Sequence, residues 1–454
     1  MARLLYSFAW YCALPFVLCS LVWRARRQPG YLHHLGERFG VGIATTPGAI
    51  WIHAVSVGET RASQSLIRAL ADRYPQRPIL LTHMTPTGRE TGAAVFADLI
   101  AQGRLRQCWL PYDTPSAIRR FLRLHQPSLG LLMETELWPN LVAVARRCDV
   151  PLVLVNARLS EKSLRKGLRW RSLIVPAMSG LSQVLAQTGP DAERLEQLGL
   201  SGVPVLGNLK FDIDPPPELV ARGRGWREQV NAGQSVRRED AGVSVRGAVV
   251  PVRGEVMPAR RGIVLAASTR EGEEVLILDA WRQAAPRDCA PLLVLVPRHP
   301  QRFDEVAALV TERGLQMVRR SAGVSADLPE MGDVDVLLGD SMGEMFAYYA
   351  MADVAIIGGS LQPLGGQNLI EACAVGTPVV VGPHMFNFAQ VTVDALDAGA
   401  VLQVSDAEGV VAQALQVLRD DSKRSRMVEC GRTFASRHRG ATERTLQALR
   451  PLLE

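Results

Sequence analysis

Three carboxylates in the first half of the chain stand directly behind apolar runs, where a strand hands over to a loop. Glu59 closes Ser56-Val57-Gly58-Glu59, behind the run 49–55. A carboxylate placed there suits removal of a proton from an attacking hydroxyl, and equally suits the positive end of a helix dipole. Glu134 and Glu136 belong to Glu134-Thr135-Glu136-Leu137-Trp138-Pro139-Asn140, behind the run 129–133. One of the two can do chemistry while the other caps the helix that Trp138-Pro139 begins. Lys210, in Gly207-Asn208-Leu209-Lys210-Phe211-Asp212, is either a positive charge near a hinge or a solvated surface lysine.

The second half offers groups of another kind. Arg298 and His299 follow the very apolar run 292–296, and a guanidinium at a strand end donates two parallel hydrogen bonds to a phosphate. Gly339-Asp340-Ser341-Met342-Gly343-Glu344 allows close backbone approach, and its Glu344 opens a helix. Gly358-Gly359-Ser360 ends one strand, and Gly365-Gly366-Gln367-Asn368-Leu369-Ile370-Glu371 opens a helix whose first N–H groups suit a phosphate. Glu371 lies one helical turn inside and can accept from ribose hydroxyls. Neither a GxxxxGK[ST] loop nor a GxGxxG fingerprint is present, and no HExxH pair occurs. His33 and Glu37, four apart, read as a polar helix face. Asp333-Val334-Asp335 matches a DxD metal motif in letters only, because Val334 reads as the start of a buried strand.

Positioning these loops requires α/β units. Runs at 49–55, 79–82, 129–133, 152–156 and 184–186 read as buried parallel strands, and so do 262–267, 292–297, 334–338, 353–357 and 378–381. Helical periodicity between them gives the rhythm of doubly wound sheets, with ligands expected at the carboxyl ends of the strands in a cleft between two halves. The expected division is 1–30 a membrane anchor, 31–213 a Rossmann-like domain, 214–261 a linker with a flexible insertion, 262–432 a second Rossmann-like domain and 433–454 a C-terminal helix.

The anchor reading rests on the uncharged stretch 4–23, long enough to cross a bilayer core. Arg24, Arg26 and Arg27 follow it and only Arg3 precedes it, which places the body of the protein on the cytoplasmic side. A cleaved signal peptide is the rival, but no small-x-small site follows the apolar run. Across 454 residues the net charge of +6 favours anionic partners. Seven scattered cysteines without a CxxC pair argue against a disulfide framework or zinc site, and suit a reducing compartment.

Taken in order, these loops resemble the Kdo transferase family, glycosyltransferases of GT-B architecture. The resemblance is carried by SVGE (56–59), TPTG (85–88), LPYD (110–113), ETELWPN (134–140), NARLS (156–160), LKFD (209–212), STREGEE (268–274), VPRHPQRF (296–303), GDSMGE (339–344), GGSL (358–361) and GPHMFNF (382–388). It implies Glu59 as the catalytic base, with Glu134 and Lys210 stabilising the transition state. It implies CMP contacts at Arg298, His299, Met342, Gly343, Glu344, Asn368, Leu369, Ile370 and Glu371. The implied reaction is inverting transfer of Kdo from CMP-Kdo to a lipid A precursor (lipid IVA), without metal or other cofactor. The implied setting is the cytoplasmic face of the inner membrane, with anionic lipids as partners and no nucleic acid. Gln367 stands where the family usually has His, and Ile370-Glu371-Ala372 where it has Leu-Glu-Pro. A transferase using a UDP-sugar, a sugar-nucleotide epimerase and a non-catalytic scaffold are the rival functions; the intact Glu59, Glu134 and Lys210 set speaks against the scaffold.

Overall fold

The computed structural model describes residues 1–26, 28–240, 260–285, 291–324, 327–331 and 334–454, with the backbone alone over 233–240. Arg27, Asp333, Cys289 and positions 241–259 of the expected insertion lie outside the described residues. The chain divides into two compact units, Met1–Asp212 with His438–Glu454, and Ile213–Arg437.

The first unit is built on six parallel strands: β1 (Ile50–His53), β2 (Ile79–His83), β3 (Leu105–Trp109), β4 (Leu129–Met133), β5 (Leu152–Ala157) and β6 (Gln183–Ala186). Their spatial order is β3-β2-β1-β4-β5-β6. All neighbours run parallel. The central strands are buried on both faces, which is why they read as unbroken apolar runs. One core layer gathers Ile50, Ile52, Leu66 and Leu131, and another gathers Trp51, Phe121, Leu132 and Leu154. Gly130 leaves room in β4, because a Cβ there would meet the Trp51 ring and Leu152. The strand order reverses between β1 and β4, so the crevice at the carboxyl ends of those two strands is the expected ligand position.

The second unit has seven parallel strands: β7 (Ile263–Thr269), β8 (Leu292–Pro297), β9 (Met317–Arg319), β10 (Val336–Leu338), β11 (Val354–Ile357), β12 (Val379–Val381) and β13 (Val401–Gln403). The order is β13-β12-β11-β7-β8-β10-β9, which puts the reversal between β7 and β11. Val264, Ile277, Leu293, Val336 and Ile356 lie at the centre of its core.

Two expectations change at the boundaries. The stretch read as a linker is helical over Pro217–Asp240. Gly223 lets that helix approach the backbone of Ala347 closely, since a Cβ there would lie 2.2 Å from its carbonyl oxygen. Trp226 packs against Tyr348, and Arg227 pairs with Asp353 at 2.7 Å. Periodicity was masked there because the helix buries Trp226, Arg227 and Val230 among polar neighbours. At the far end, the expected C-terminal helix 433–454 is two helices, Asp421–Arg437 and Ala441–Leu453. The second packs in the first unit through Leu446, Leu449 and Leu453. The helix Ala2–Ala25 is the one segment, among the described residues, long and apolar enough to cross a membrane.

Candidate active site

Glu59 lies in the first turn of the helix Val57–Ala62, just past β1. Its Oε2 accepts from the backbone N–H of Val55 at 2.5 Å. Glu59, three residues past the N-cap Ser56, thus reaches back to the chain before the helix, while the Ser56 side chain makes no capping hydrogen bond. Helix-starting acid and site carboxylate are therefore the same residue. Burial, reinforced by the negative charges of Glu134 and Glu136, raises its pKa from 4.5 to about 7, against the opposing pull of the Val55 and Ser56 N–H groups. Desolvation outweighs the hydrogen bonds.

Glu134 follows β4 with a left-handed backbone (φ +55°), uncommon for a side-chain-bearing residue. The conformation is held from both sides: its N–H donates to the Val155 carbonyl at 3.0 Å, and its carbonyl accepts from Arg158 N–H at 3.2 Å. Its Oε1 lies 2.7 Å from Lys210 Nζ and its Oε2 4.0 Å from Arg158 Nη2. The surface-lysine reading of Lys210 falls away.

Lys210 sits in the short 3-10 turn Leu209–Phe211, anchored by buried Leu209 and Phe211. Asn208 Oδ1 accepts from Lys210 N–H, and Asn156 Oδ1 from Leu209 N–H, each at 3.0 Å. Asn156, also left-handed (φ +56°), comes from the strand end next to Glu134. Phe211 stacks on His438, and Asp212 accepts from the N–H groups of Gly440 and Thr442. The returning C-terminal segment thereby secures the lysine's turn.

Glu136 does not cap the following helix. Its Oε2 accepts from the Trp138 indole at 2.8 Å and lies 3.9 Å from His53 Nε2. Burial lowers the His53 pKa to about 3, so that imidazole is neutral. The capping task falls to Asp113, which accepts from the N–H groups of Asn140 (3.1 Å) and Leu141 (2.8 Å). Asp113 and Asn156 were not singled out in the sequence, although both lie in stretches (LPYD, NARLS) matching the family. His33 follows the 3-10 turn Pro29–Leu32 in extended backbone and Glu37 lies in the next turn, Leu35–Phe39, so the two share no helix face; Glu37 pairs with Arg89 at 2.8 Å.

In the second unit the predicted residues follow the carboxyl ends of β8, β10 and β11. Arg298 follows β8, and its N–H donates to the Thr269 carbonyl at 2.9 Å. His299 has its pKa lowered by burial and then by the positive charges of Arg270, Arg298 and Arg302, which marks the local field as positive. Met342 is exposed, and Gly343, at φ +82°, has open space where a Cβ would point. Glu344 is engaged elsewhere: Oε1 pairs with Arg222 at 2.9 Å and Arg320 at 3.1 Å. Its side chain therefore braces two arginines.

Gly365 and Gly366 both take positive φ and lie so close to Asn387 and Met385 that no side chain fits. The helix they precede, Ile370–Val375, is only six residues long. Its Ile370 N–H is already taken by Asn368 Oδ1 at 3.0 Å, and Asn368 Nδ2 donates to Glu371 Oε1 at 3.2 Å. The Ile370 N–H at that helix start is thus already occupied within the loop. Leu369 is fully buried.

The residue missed here is Glu273. Fully buried, it accepts from Gly359 N–H (2.6 Å), Leu361 N–H (2.9 Å) and Arg270 N–H (2.9 Å). It ties the loop after β7 to the glycine loop after β11, across the reversal point. Beside it Glu274 pairs with Arg302 at 2.6 Å, so Arg302 is structural. Asp335, the described half of the DxD match, accepts from Gln316 N–H at 2.8 Å, and the strand begins at Val336, not Val334.

Two parallel-sheet α/β units, each with polar residues at the carboxyl ends of its strands, have the architecture of the GT-B glycosyltransferases. Structures with this fold include Anabaena HepE in complex with UDP (14% identity, 89% of this chain and 99% of that one, TM-score 0.55) and UDP-GlcNAc 2-epimerase from Neisseria meningitidis (13%, 89% and 100%, TM-score 0.53). The profile of 3-deoxy-D-manno-octulosonic-acid transferases (kdotransferases) matches residues 33–213, and that of glycosyl transferases group 1 matches 328–434. The chain is 45% identical to the 3-deoxy-D-manno-octulosonic acid transferase of Bordetella pertussis over 99% of both chains. It is 34% identical to that of Haemophilus influenzae over 100% of this chain and 99% of the other. The chain belongs to the Kdo transferase family.

Proposed function

We propose that this Kdo transferase moves Kdo from CMP-Kdo to a hydroxyl of a lipid A precursor, with inversion and with Glu59 as general base, in lipopolysaccharide inner-core assembly. The observation that carries the base assignment is the Glu59 carboxylate, raised to about 7 beside the Glu134–Lys210 pair. A base poised near neutrality is half deprotonated at working pH and still strong enough to take a hydroxyl proton.

In this reading Glu59 takes the proton of the attacking hydroxyl as that oxygen bonds to the anomeric carbon. The bond from that carbon to the CMP phosphate oxygen breaks on the opposite face, its electron pair leaving with CMP. One displacement inverts the centre. Lys210, held by Glu134, faces the acidic sugar or the acceptor's phosphate, and Arg298 with His299 faces the CMP phosphate. Asn368 and Glu371 serve the ribose, and Met342, Gly343, Leu369 and Ile370 shape the nucleotide surface. Cationic side chains supply the charge stabilisation that a metal supplies in other transferases, so the reaction is proposed to proceed without one. The chain is proposed to work on the cytoplasmic face of the inner membrane, through its apolar N-terminal helix and anionic lipids.

Mass spectrometry of lipid IVA incubated with the protein and CMP-Kdo tests this. The expected result is one or more Kdo increments with CMP released; turnover with UDP-sugars and none with CMP-Kdo overturns it.

A further inference from the structure

The helix Ala2–Ala25 does not stand away from the folded body. Along its whole length one stripe is shielded by the first unit, through Tyr6, Ser7, Trp10, Leu14, Leu18 and Leu21. The spacing of three and four residues keeps that stripe on one side of the helix. The contacts are chemically specific at the N-terminal end. Ser7 Oγ donates to Asn140 Oδ1 at 2.8 Å, and the Tyr11 and Ser116 hydroxyls lie 2.9 Å apart. Tyr6 lies beside Asp113, whose carboxylate caps the helix Pro139–Arg147. Trp10 packs on Tyr112 and Trp138, with ring centroids 6.0 and 6.4 Å apart.

The opposite stripe is apolar and exposed: Leu4, Leu5, Phe8, Phe16, Val22 and Trp23. At 24 residues the helix is about 36 Å long, little more than the roughly 30 Å of a bilayer core. A crossing helix would carry Tyr6 and Ser7 to the far leaflet, leaving Asp113 and Asn140, both buried now, without their cover. The alternative is to drag the surface carrying exposed Arg119 and Arg120 into hydrocarbon, where unpaired charge is costly.

We propose that Ala2–Ala25 lies in the plane of one leaflet, its Tyr6–Ser7–Trp10 stripe seated on the first unit and its Leu4–Phe8–Phe16 stripe in the acyl-chain layer. Arg3 and Arg24 then both meet headgroups of the same leaflet, which suits a helix with a basic residue near each end. The arrangement sets the catalytic loop at membrane height: Trp10 touches Trp138, and Trp138 holds Glu136 two residues from Glu134. A lipid-borne hydroxyl then reaches the loop without leaving its leaflet. The inference rests on the reading that the protein works at a membrane, and its test reads helix placement without reference to turnover.

In Ala2→Cys, a membrane-impermeant maleimide is applied to intact spheroplasts and to inverted vesicles, with the modified peptide read by mass spectrometry. Labelling at position 2 only in inverted vesicles is expected; labelling from outside intact spheroplasts overturns the proposal. The pair Tyr11→Cys with Ser116→Cys, both at partly exposed positions, gives a second reading in native membranes. A short bis-maleimide is expected to join them within one chain, and a membrane-bound, active variant that does not cross-link also overturns it. Loss of membrane association or of Kdo transfer, read separately, bears on the functional proposal instead.

Discussion

Glu134 Oε1 lies 2.7 Å from Lys210 Nζ, joining a strand end to a turn 76 residues later in the chain (210 minus 134). Glu134 is almost completely buried, so its charge is tolerated because the ammonium is there. Lys210→Met leaves a buried carboxylate uncompensated and is expected to reduce kcat/KM about 100-fold, close to 3 kcal/mol of transition-state stabilisation. In a cycle with Glu134→Gln, the double variant should be less impaired than the summed single losses by more than about 1 kcal/mol. Simple additivity would mean that the two side chains act separately.

The pH profile follows from Glu59. A general base works deprotonated, so activity should rise with pH through about 7 and then level off. Glu136→Gln removes one of the negative charges that raise Glu59. The acid limb should then move to lower pH by on the order of half a unit. A limb that stays in place would remove Glu136 from the electrostatics of the base.

Stability should show the same charge with opposite consequence. Glu59 titrates near 4.5 in the unfolded chain and near 7 in the fold, so folding takes up a proton between those values. The folded state therefore loses stability as pH rises through that window. Glu59→Gln carries no such loss. Its advantage should be near zero below pH 4.5 and reach on the order of 2 kcal/mol above pH 7, measured by urea unfolding at several pH values.

Donor binding is expected to depend on Arg298 and, through the loops, on Glu273. Arg298→Ala should weaken CMP binding about tenfold by calorimetry while leaving the acid limb of the rate profile unchanged. Glu273→Ala frees three N–H groups that the carboxylate now accepts from. It should weaken CMP binding at least as much and lower the melting temperature as well, a combination that separates loop support from direct contact.

Much of this was legible because parallel strands buried on both faces leave long apolar runs, and the chemistry sits just behind them. Glu59, Glu134 and Arg298 are each the charged residue nearest such an ending. The strands not anticipated are β3, β9 and β13, all at sheet edges, where one flank meets solvent or loops and residues such as Arg106 and Gln107 interrupt the apolar run. Side-chain partners were beyond the sequence's reach. Nothing in the spacing of Glu273 reveals that it is buried under glycine loops 86 and 88 residues away. Nor does LPYD show that Asp113, rather than Glu136, caps the helix after Trp138. Glu344 shows the converse: a residue in a matching stretch whose side chain is occupied by Arg222 and Arg320.

The most direct measurement is Kdo transfer by Glu59→Ala, alongside calorimetric titration of the same protein with CMP. Product formation is predicted to fall to background while the affinity for CMP stays within about twofold of the unaltered protein, since 1.4 kcal/mol would already be a tenfold change. Turnover near that of the unaltered protein would contradict the assignment of Glu59 as the group that takes the proton.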